Sequence, residues 1–400
     1  MTPSAETVII GGGVMGCSIA YNLAAKGMTG IVLLERDVLG AGATGRSTAT
    51  VHTHFSTSVL TKLAQQSLAI FRSFDDLVGG TCGFTGTGHL VFAGGEHHVQ
   101  TNASIALHHE AGIETRLVSH QDASELARGF QLRDCAAIVY EPLSGYADAS
   151  GTTLAYASRA RQLGVKTELR TTATGLELTR GRITGVETGK GTIKAERVIL
   201  AAGAWSRDFL LPYGVKLPLQ VTRHEVAAFQ KPSTDLGNIP VISDLINQTH
   251  FRPEGEDLIL AGTAEPQQSD KSLTDPAFYG QRPTQEFTEA VWPRLVNRVP
   301  MMETAKYTNG FAGLYTSTPD RHPIIDRLRI HSGLEGLFLC AGFSGHGFKL
   351  APAVGVAMAE LVLHEDSPSQ DISDLGISRF QDSSKKEQTL TFSSEADVII

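Results

Sequence analysis

Thr7-Val8-Ile9-Ile10-Gly11-Gly12-Gly13-Val14-Met15-Gly16-Cys17 decides the fold of this chain. The first four residues are apolar or β-branched and form a run too short for a helix, so they read as a buried strand. Val14, Cys17, Ile19, Ala20, Leu23 and Ala24 then recur at helical spacing and stop at Gly27, a typical helix terminator. Ile31-Val32-Leu33-Leu34 follows as a second buried strand, completing a parallel βαβ unit. Gly11, Gly13 and Gly16 satisfy G-x-G-x-x-G between strand and helix. The first allows a tight turn, the second lets backbone N–H groups approach a pyrophosphate, and the third allows close packing of helix on strand. The helix N-terminus adds partial positive charge. Glu35 ends the second strand, where a carboxylate can accept the ribose hydroxyl protons. The unit therefore predicts dinucleotide binding.

Outward from this unit, strand-like runs stopping at glycine recur at Val198 to Gly203 and at Leu337 to Gly342. Helices are predicted over Val59 to Leu77, Ser104 to Ala111, 151–163 and Leu350 to Leu363. Strands are predicted at His89 to Phe92, Ala137 to Tyr140, Leu219 to Phe229 and Leu258 to Ala261. Parallel-type strands at the start, middle and end of the chain imply one domain built from separated pieces with another inserted. The expected fold is α/β plus α+β, a Rossmann-like cofactor domain carrying an inserted substrate domain with an antiparallel sheet. The cofactor domain is assigned residues 1–80, 146–212 and 306–380, the substrate domain 81–145 and 213–305, and the polar segment 381–400 a loosely attached tail.

Composition narrows the function. Of 400 residues, 41% are hydrophobic and 19% charged, as in globular proteins, and the formal charge of −8 disfavours nucleic acid or anionic membrane as partners. No apolar run approaches the roughly 20 residues of a bilayer span. No signal peptide is recognised, and Cys17, Cys82, Cys135 and Cys340 are too scattered for a metal motif, so reduced thiols in a cytoplasmic protein are expected.

Gly342-Phe343-Ser344-Gly345-His346-Gly347-Phe348-Lys349 joins the last buried strand to the last helix. Its glycines open the backbone to a ligand, and the predicted helix places Pro352 in its first turn. Against the N1–C2=O edge of a flavin, that helix end would stabilise the negative charge of two-electron reduction. Lys349 would add a full charge, worth about 4 kcal/mol at 4 Å for an effective dielectric near 20. A hydrolase elbow, G-x-S-x-G, fails because His346 occupies the last glycine position. The small-residue loop Gly40, Gly42, Thr44, Gly45, Arg46, Ser47 after Glu35-Arg36 suits a cofactor longer than a nicotinamide dinucleotide.

Over about residues 6 to 380 the chain resembles the FAD-dependent amine and amino-acid oxidoreductases of the D-amino-acid oxidase type. Within them it resembles the sarcosine oxidases and the dimethylglycine and opine dehydrogenases. The motifs that carry the resemblance are Gly11 to Gly16 with Glu35-Arg36, Gly42 to Ser47, Ala201 to Ser206, Tyr315-Thr316 with Thr318-Pro319-Asp320, and Gly342 to Lys349. The resemblance implies FAD extended between the two domains. It implies hydride transfer from the carbon beside an amine nitrogen to flavin N5, giving an imine that hydrolyses, with oxygen or another electron acceptor closing the cycle. Cofactor contacts are implied for Gly11, Gly13, Val14, Met15, Gly16, Glu35, Arg36, Thr44, Gly45, Arg46, Ser47, Thr48, Thr174, Ala202, Gly203 and Gly345 to Lys349. Active-site roles are implied for Lys349, Tyr315, His52, His250 and His346. The alternative is a flavoprotein subunit that passes electrons to a partner subunit.

Three departures stand out. The flavin-linking cysteine of monomeric sarcosine oxidases falls at Gly313, so non-covalent FAD is expected. The substrate-carboxylate arginine falls at His52, which pairs with a carboxylate only when protonated and is otherwise a packed neutral histidine. The oxygen-activating lysine falls near Ile259, which implies slow reoxidation by oxygen. His52 and His54 show no third ligand, so no metal is expected. His97-His98 and His108-His109 are read as surface residues.

Overall fold

A computed structural model of the chain describes residues 4–232, 236–263, 273, 275–328, 334–364 and 371–380, the side chains of 98–100 excepted. The tail expected at 381–400 lies outside the described residues. Thr7–Ile10 is buried at every position and sits inside a six-stranded sheet. The order across it is Ile324–Arg327, Leu337–Ala341, Arg197–Leu200, Thr7–Ile10, Ile31–Leu34 and Lys166–Glu168. All neighbours are parallel except the first pair. Side chains alternate between faces, so Ile9, Leu33, Ile199 and Phe338 meet the helices Val14–Ala25, Ser58–Arg72, Ala149–Gln162 and Gly347–His364. Val8, Ile10, Val32, Val198 and Leu200 point the other way, into a core shared with the antiparallel strands of 173–194. Burying each such side chain contributes roughly 1.5–3 kcal/mol.

The second sheet has eight strands, ordered Lys306–Ser317, Gln220–Gln230, Leu258–Thr263, Thr249–Glu254, Val241–Asp244, His89–Ala93, Ala137–Glu141 and Arg116–Leu117. It is antiparallel apart from the pair Val241–Asp244 and His89–Ala93. One face, with Phe92, Ile138, Phe229, Phe251 and Ile259, packs on the helix Gln285–Arg298. Lys306–Ser317 pairs along the whole of Gln220–Gln230, so these twelve residues belong to the second sheet. The boundary expected at residue 306 is corrected on that point.

Other differences have local causes. The helix expected over 59–77 is two, Ser58–Arg72 and Phe74–Leu77, broken where Ser73 leaves helical geometry (φ −121°, ψ 31°). The last helix starts at Gly347, three residues before the expected Leu350, which puts Pro352 beyond the first turn. Neighbours repair the backbone there. Ala353 N–H donates to Ser67 Oγ at 3.1 Å, and Ala351 O accepts from Ser18 Oγ at 2.9 Å. This helix is the one described helix long and apolar enough to cross a membrane, and 67% of its length is buried inside the protein. All four cysteines are buried free thiols.

Candidate active site

The glycine turn is built by close approach. Gly11 has φ +115°, and a Cβ there would lie 2.3 Å from Ala201 O. A Cβ on Gly16 would lie 1.9 Å from Gly11 O, so Gly16 packs behind the turn while Gly11, Gly13, Val14 and Met15 line a cleft of about 530 Å³. Glu35 accepts hydrogen bonds from Gly12 N–H at 2.8 Å and Asp37 N–H at 2.9 Å. A carboxylate has lone pairs to spare, so Glu35, which lines the cleft, can still take ribose hydroxyls. Arg36 covers the Trp205 ring at 3.6 Å, a cation–π pair at this end of the cleft beside Ala202 and Gly203. Thr174 does not line it. Thr171, Thr172 and Ala173 do, and Thr174 is exposed.

The small-residue loop walls the middle. Thr44, Arg46, Ser47 and Thr48 line the cleft, and Thr44 Oγ1 accepts from Val14 N–H at 3.1 Å. Gly45 does not line it, since its N–H turns inward to Gly40 O at 2.8 Å. The Arg46 guanidinium donates to Ala41 O, to Gly42 O and to Gln281 Oε1, tying the loop to the second domain. Gly313 is pressed against this turn, where a Cβ would lie 3.0 Å from the Cβ and O of Arg46. A glycine turn that admits no Cβ at Gly11 or Gly16, a helix N-terminus and a carboxylate with lone pairs to spare fit FAD.

The far end converges on Lys349. The loop Gly345, His346, Gly347, Phe348 and Lys349 lines the cleft, together with Tyr315, His52 and His250. Lys349 is only 5% exposed, and burial pulls its ammonium down to about 7. Its Nζ lies 3.5 Å from His346 Nδ1. The imidazoles stay neutral. Burial, then the Lys349 charge, holds His346 and His52 well below the usual range and brings His250 to about 4. His52 therefore cannot act as a cationic partner for a carboxylate. Gly262 makes room for His250, whose ring would lie 2.5 Å from a Cβ there. Tyr315 stacks on His224 with centroids 3.8 Å apart, and Gly345 lies against its edge. Ile259 is a core residue of the sheet's other face and does not reach the cleft.

Several lining residues escaped the sequence reading. His224 and Ser243 line the cavity, yet strand alternation alone did not say which face of the second sheet was inward, and Arg321 reaches it from the connection after Lys306–Ser317. His108 was read as exposed but is fully buried, with Nε2 3.2 Å from Phe55 O.

A phosphate-binding turn, an acid for the ribose and a buried cavity beyond them define a flavin-dependent redox protein. The family model of the FAD-dependent oxidoreductases (DAO) matches residues 6–361, and the chain belongs to that family. It is 28% identical over 383 residues to 4-methylaminobutanoate oxidase (formaldehyde-forming) of Paenarthrobacter nicotinovorans, which covers 94% of this chain and 45% of that protein. It is 22% identical to sarcosine oxidase subunit beta of Rhodobacter capsulatus, over 94% of this chain and 89% of the relative. The crystal structure of L-proline dehydrogenase from P. horikoshii superposes with a TM-score of 0.86 at 26% identity, covering 95% of this chain and 99% of that one. The chain thus spans less than half of the first of these relatives.

Proposed function

We propose that this chain oxidises a small secondary amine or N-alkylated amino acid with non-covalently bound FAD, giving an imine that hydrolyses in water. The observation that carries the reading is the cavity beyond the glycine cradle, where one lysine of pKa about 7 stands among neutral imidazoles. Bound in this cleft, FAD supplies the acceptor for hydride removed from the carbon beside the amine nitrogen. The chain's own groups bind and orient. Neutral His250 and His346 can accept hydrogen bonds from an amine N–H, and Lys349 can donate to a substrate carboxylate. Tyr315, held flat by His224 and Gly345, forms a wall. The relatives named above act, by their names, on 4-methylaminobutanoate, sarcosine and L-proline, which are secondary amines.

The test is an anaerobic titration of the flavin-loaded protein with sarcosine, proline, N-methyl amino acids and opines, followed by absorbance near 450 nm, the oxidised-flavin band. Bleaching by one of them is the expected result, and no bleaching by any would overturn the reading. Gly313 carries no side chain to link a flavin, and a Cβ there would press on Arg46 at 3.0 Å. Acid precipitation is therefore expected to release all flavin to the supernatant, and a denatured-protein mass carrying added flavin would contradict this.

A second reading, an electron-transferring subunit, is favoured by Ile259. Among the described residues, Lys349 is the one lysine that lines the cleft. Substrate-reduced protein is expected to stay reduced in air-saturated buffer and to reoxidise when a dye acceptor is added. Rapid hydrogen peroxide formation would remove this reading and leave an oxidase.

A further inference from the structure

Behind the cavity wall lies a cluster that the amine chemistry does not use. Thr50–Val51 leads into His52, His89 opens the strand His89–Ala93, and Glu141 closes the strand Ala137–Glu141. His89 and Glu141 are direct cross-strand partners, and the His52 ring stacks on His89 with centroids 4.6 Å apart. All three are no more than 1% exposed. One ligand atom from each can be chosen so that all lie within 4.8 Å of one another.

The polar atoms of this cluster are short of partners. Both His52 nitrogens, His89 Nδ1 and Glu141 Oε1 are buried without a hydrogen bond. His89 Nδ1 stands 3.6 Å from Glu141 Oε2, too long for a hydrogen bond. The oxygen left to bind an ion is Glu141 Oε1, because Oε2 is taken up by hydrogen bonds. The outer contacts hold the donors in place. His89 Nε2 lies 2.8 Å from Ser243 Oγ, which fixes the ring and turns Nδ1 toward Glu141. Glu141 Oε2 accepts from Thr53 N–H at 2.9 Å, Thr53 Oγ1 at 3.0 Å and Ser144 Oγ at 2.8 Å. No described Lys or Arg forms an ion pair with this buried carboxylate. A buried anion with unpaired lone pairs around it is costly unless a cation joins them.

We propose that His52, His89 and Glu141 bind one divalent first-row transition-metal ion, with zinc as the reference ligand. Two imidazoles and a carboxylate form a borderline N2O donor set that suits zinc or iron(II) better than calcium or magnesium. A neighbouring set, His54, His108 and Glu141, is less open. His108 already spends Nδ1 on Thr115 Oγ1 at 3.2 Å and Nε2 on the Phe55 backbone. The expectation that His52 lacks further ligands holds only along the sequence, because His89 and Glu141 arrive from other strands. His52 and Ser243 also line the cleft, so the ion would lie one side chain behind the substrate cavity. It would add positive charge at a wall whose histidines are neutral.

The site stands on side chains alone and does not depend on the amine reading. The test is elemental analysis of the flavin-loaded protein, purified without an affinity tag, and calorimetric titration of the chelator-treated protein with zinc. About one equivalent of zinc is expected to bind, and His89→Gln or Glu141→Gln should weaken binding at least tenfold with flavin content and melting temperature retained. If a variant fails to fold, zinc-edge X-ray absorption of the wild-type protein decides instead. Two imidazole nitrogens and a carboxylate oxygen near 2.0–2.1 Å support the site. No binding of zinc, cobalt(II), manganese(II) or iron(II) by the wild type, or equal zinc binding by the folded variants, would overturn it.

Discussion

Lys349→Met is expected to slow flavin reduction by substrate, or weaken substrate binding, by about 10- to 100-fold. That range corresponds to the roughly 1.5–3 kcal/mol of a hydrogen bond to a charged group. Met keeps an unbranched apolar stem of similar shape and lacks the ammonium. The effect should depend on pH. In the free protein Lys349 titrates near 7, against an ordinary 10.5, because burial penalises its charge. A carboxylate ligand needs the charged form, so binding above pH 7 must take up a proton. Affinity for a carboxylate inhibitor, read from its perturbation of the flavin spectrum, should be flat below pH 7. Above it, affinity should fall toward tenfold per pH unit, and the variant should show weak binding with no such slope. Unchanged kinetics and an unchanged slope would remove Lys349 from the active site.

Arg298→Ala is expected to cost roughly 3–5 kcal/mol of stability, the usual penalty for stranding a buried ion. Arg298 is 1% exposed at the end of the helix Gln285–Arg298. Its Nε and Nη2 hold fully buried Asp244 at 2.7 and 3.1 Å, and its Nη1 and Nη2 hold Asp134 at 2.8 and 3.0 Å. Asp244 also accepts from Ile246 N–H, Asn247 N–H and the Asn247 amide, so its carboxylate cannot turn to solvent. Without the guanidinium, the end of Val241–Asp244 loses its anchor next to Ser243, which lines the cleft. The thermal midpoint should drop by roughly 5–10 °C, and lysine should not restore it because it lacks the two-pronged geometry. A loss below about 1 kcal/mol in urea unfolding would contradict this account.

The cofactor half of the molecule was legible because its signals are local. Strand, turn, helix, strand and acid follow one another from Thr7 to Glu35, and each is declared by neighbours within a few residues. The loop from Gly345 to Lys349 could be read for the same reason, since glycines and a helix start mark it together. Even here the reading slipped where geometry is set from outside. Thr174 gave way to Thr171, Thr172 and Ala173, and the last helix gained nearly a turn ahead of Pro352, where Ser18 and Ser67 supply hydrogen bonds.

By itself, then, the sequence determined that a parallel sheet would carry a dinucleotide on the turn Gly11 to Gly16 and that Lys349 would stand at the junction of a glycine loop and the last helix. Only the tertiary structure decided which face of the second sheet is the cavity floor, that Lys306–Ser317 joins that sheet, and that Glu141 and His89 meet His52. The physical reason is range. A turn is fixed by the steric limits of its own few residues, whereas strand register and the company of a buried side chain depend on which distant segments share a core. Those contacts join positions such as His52 and Glu141, 88 or so residues apart, and no local pattern announces them.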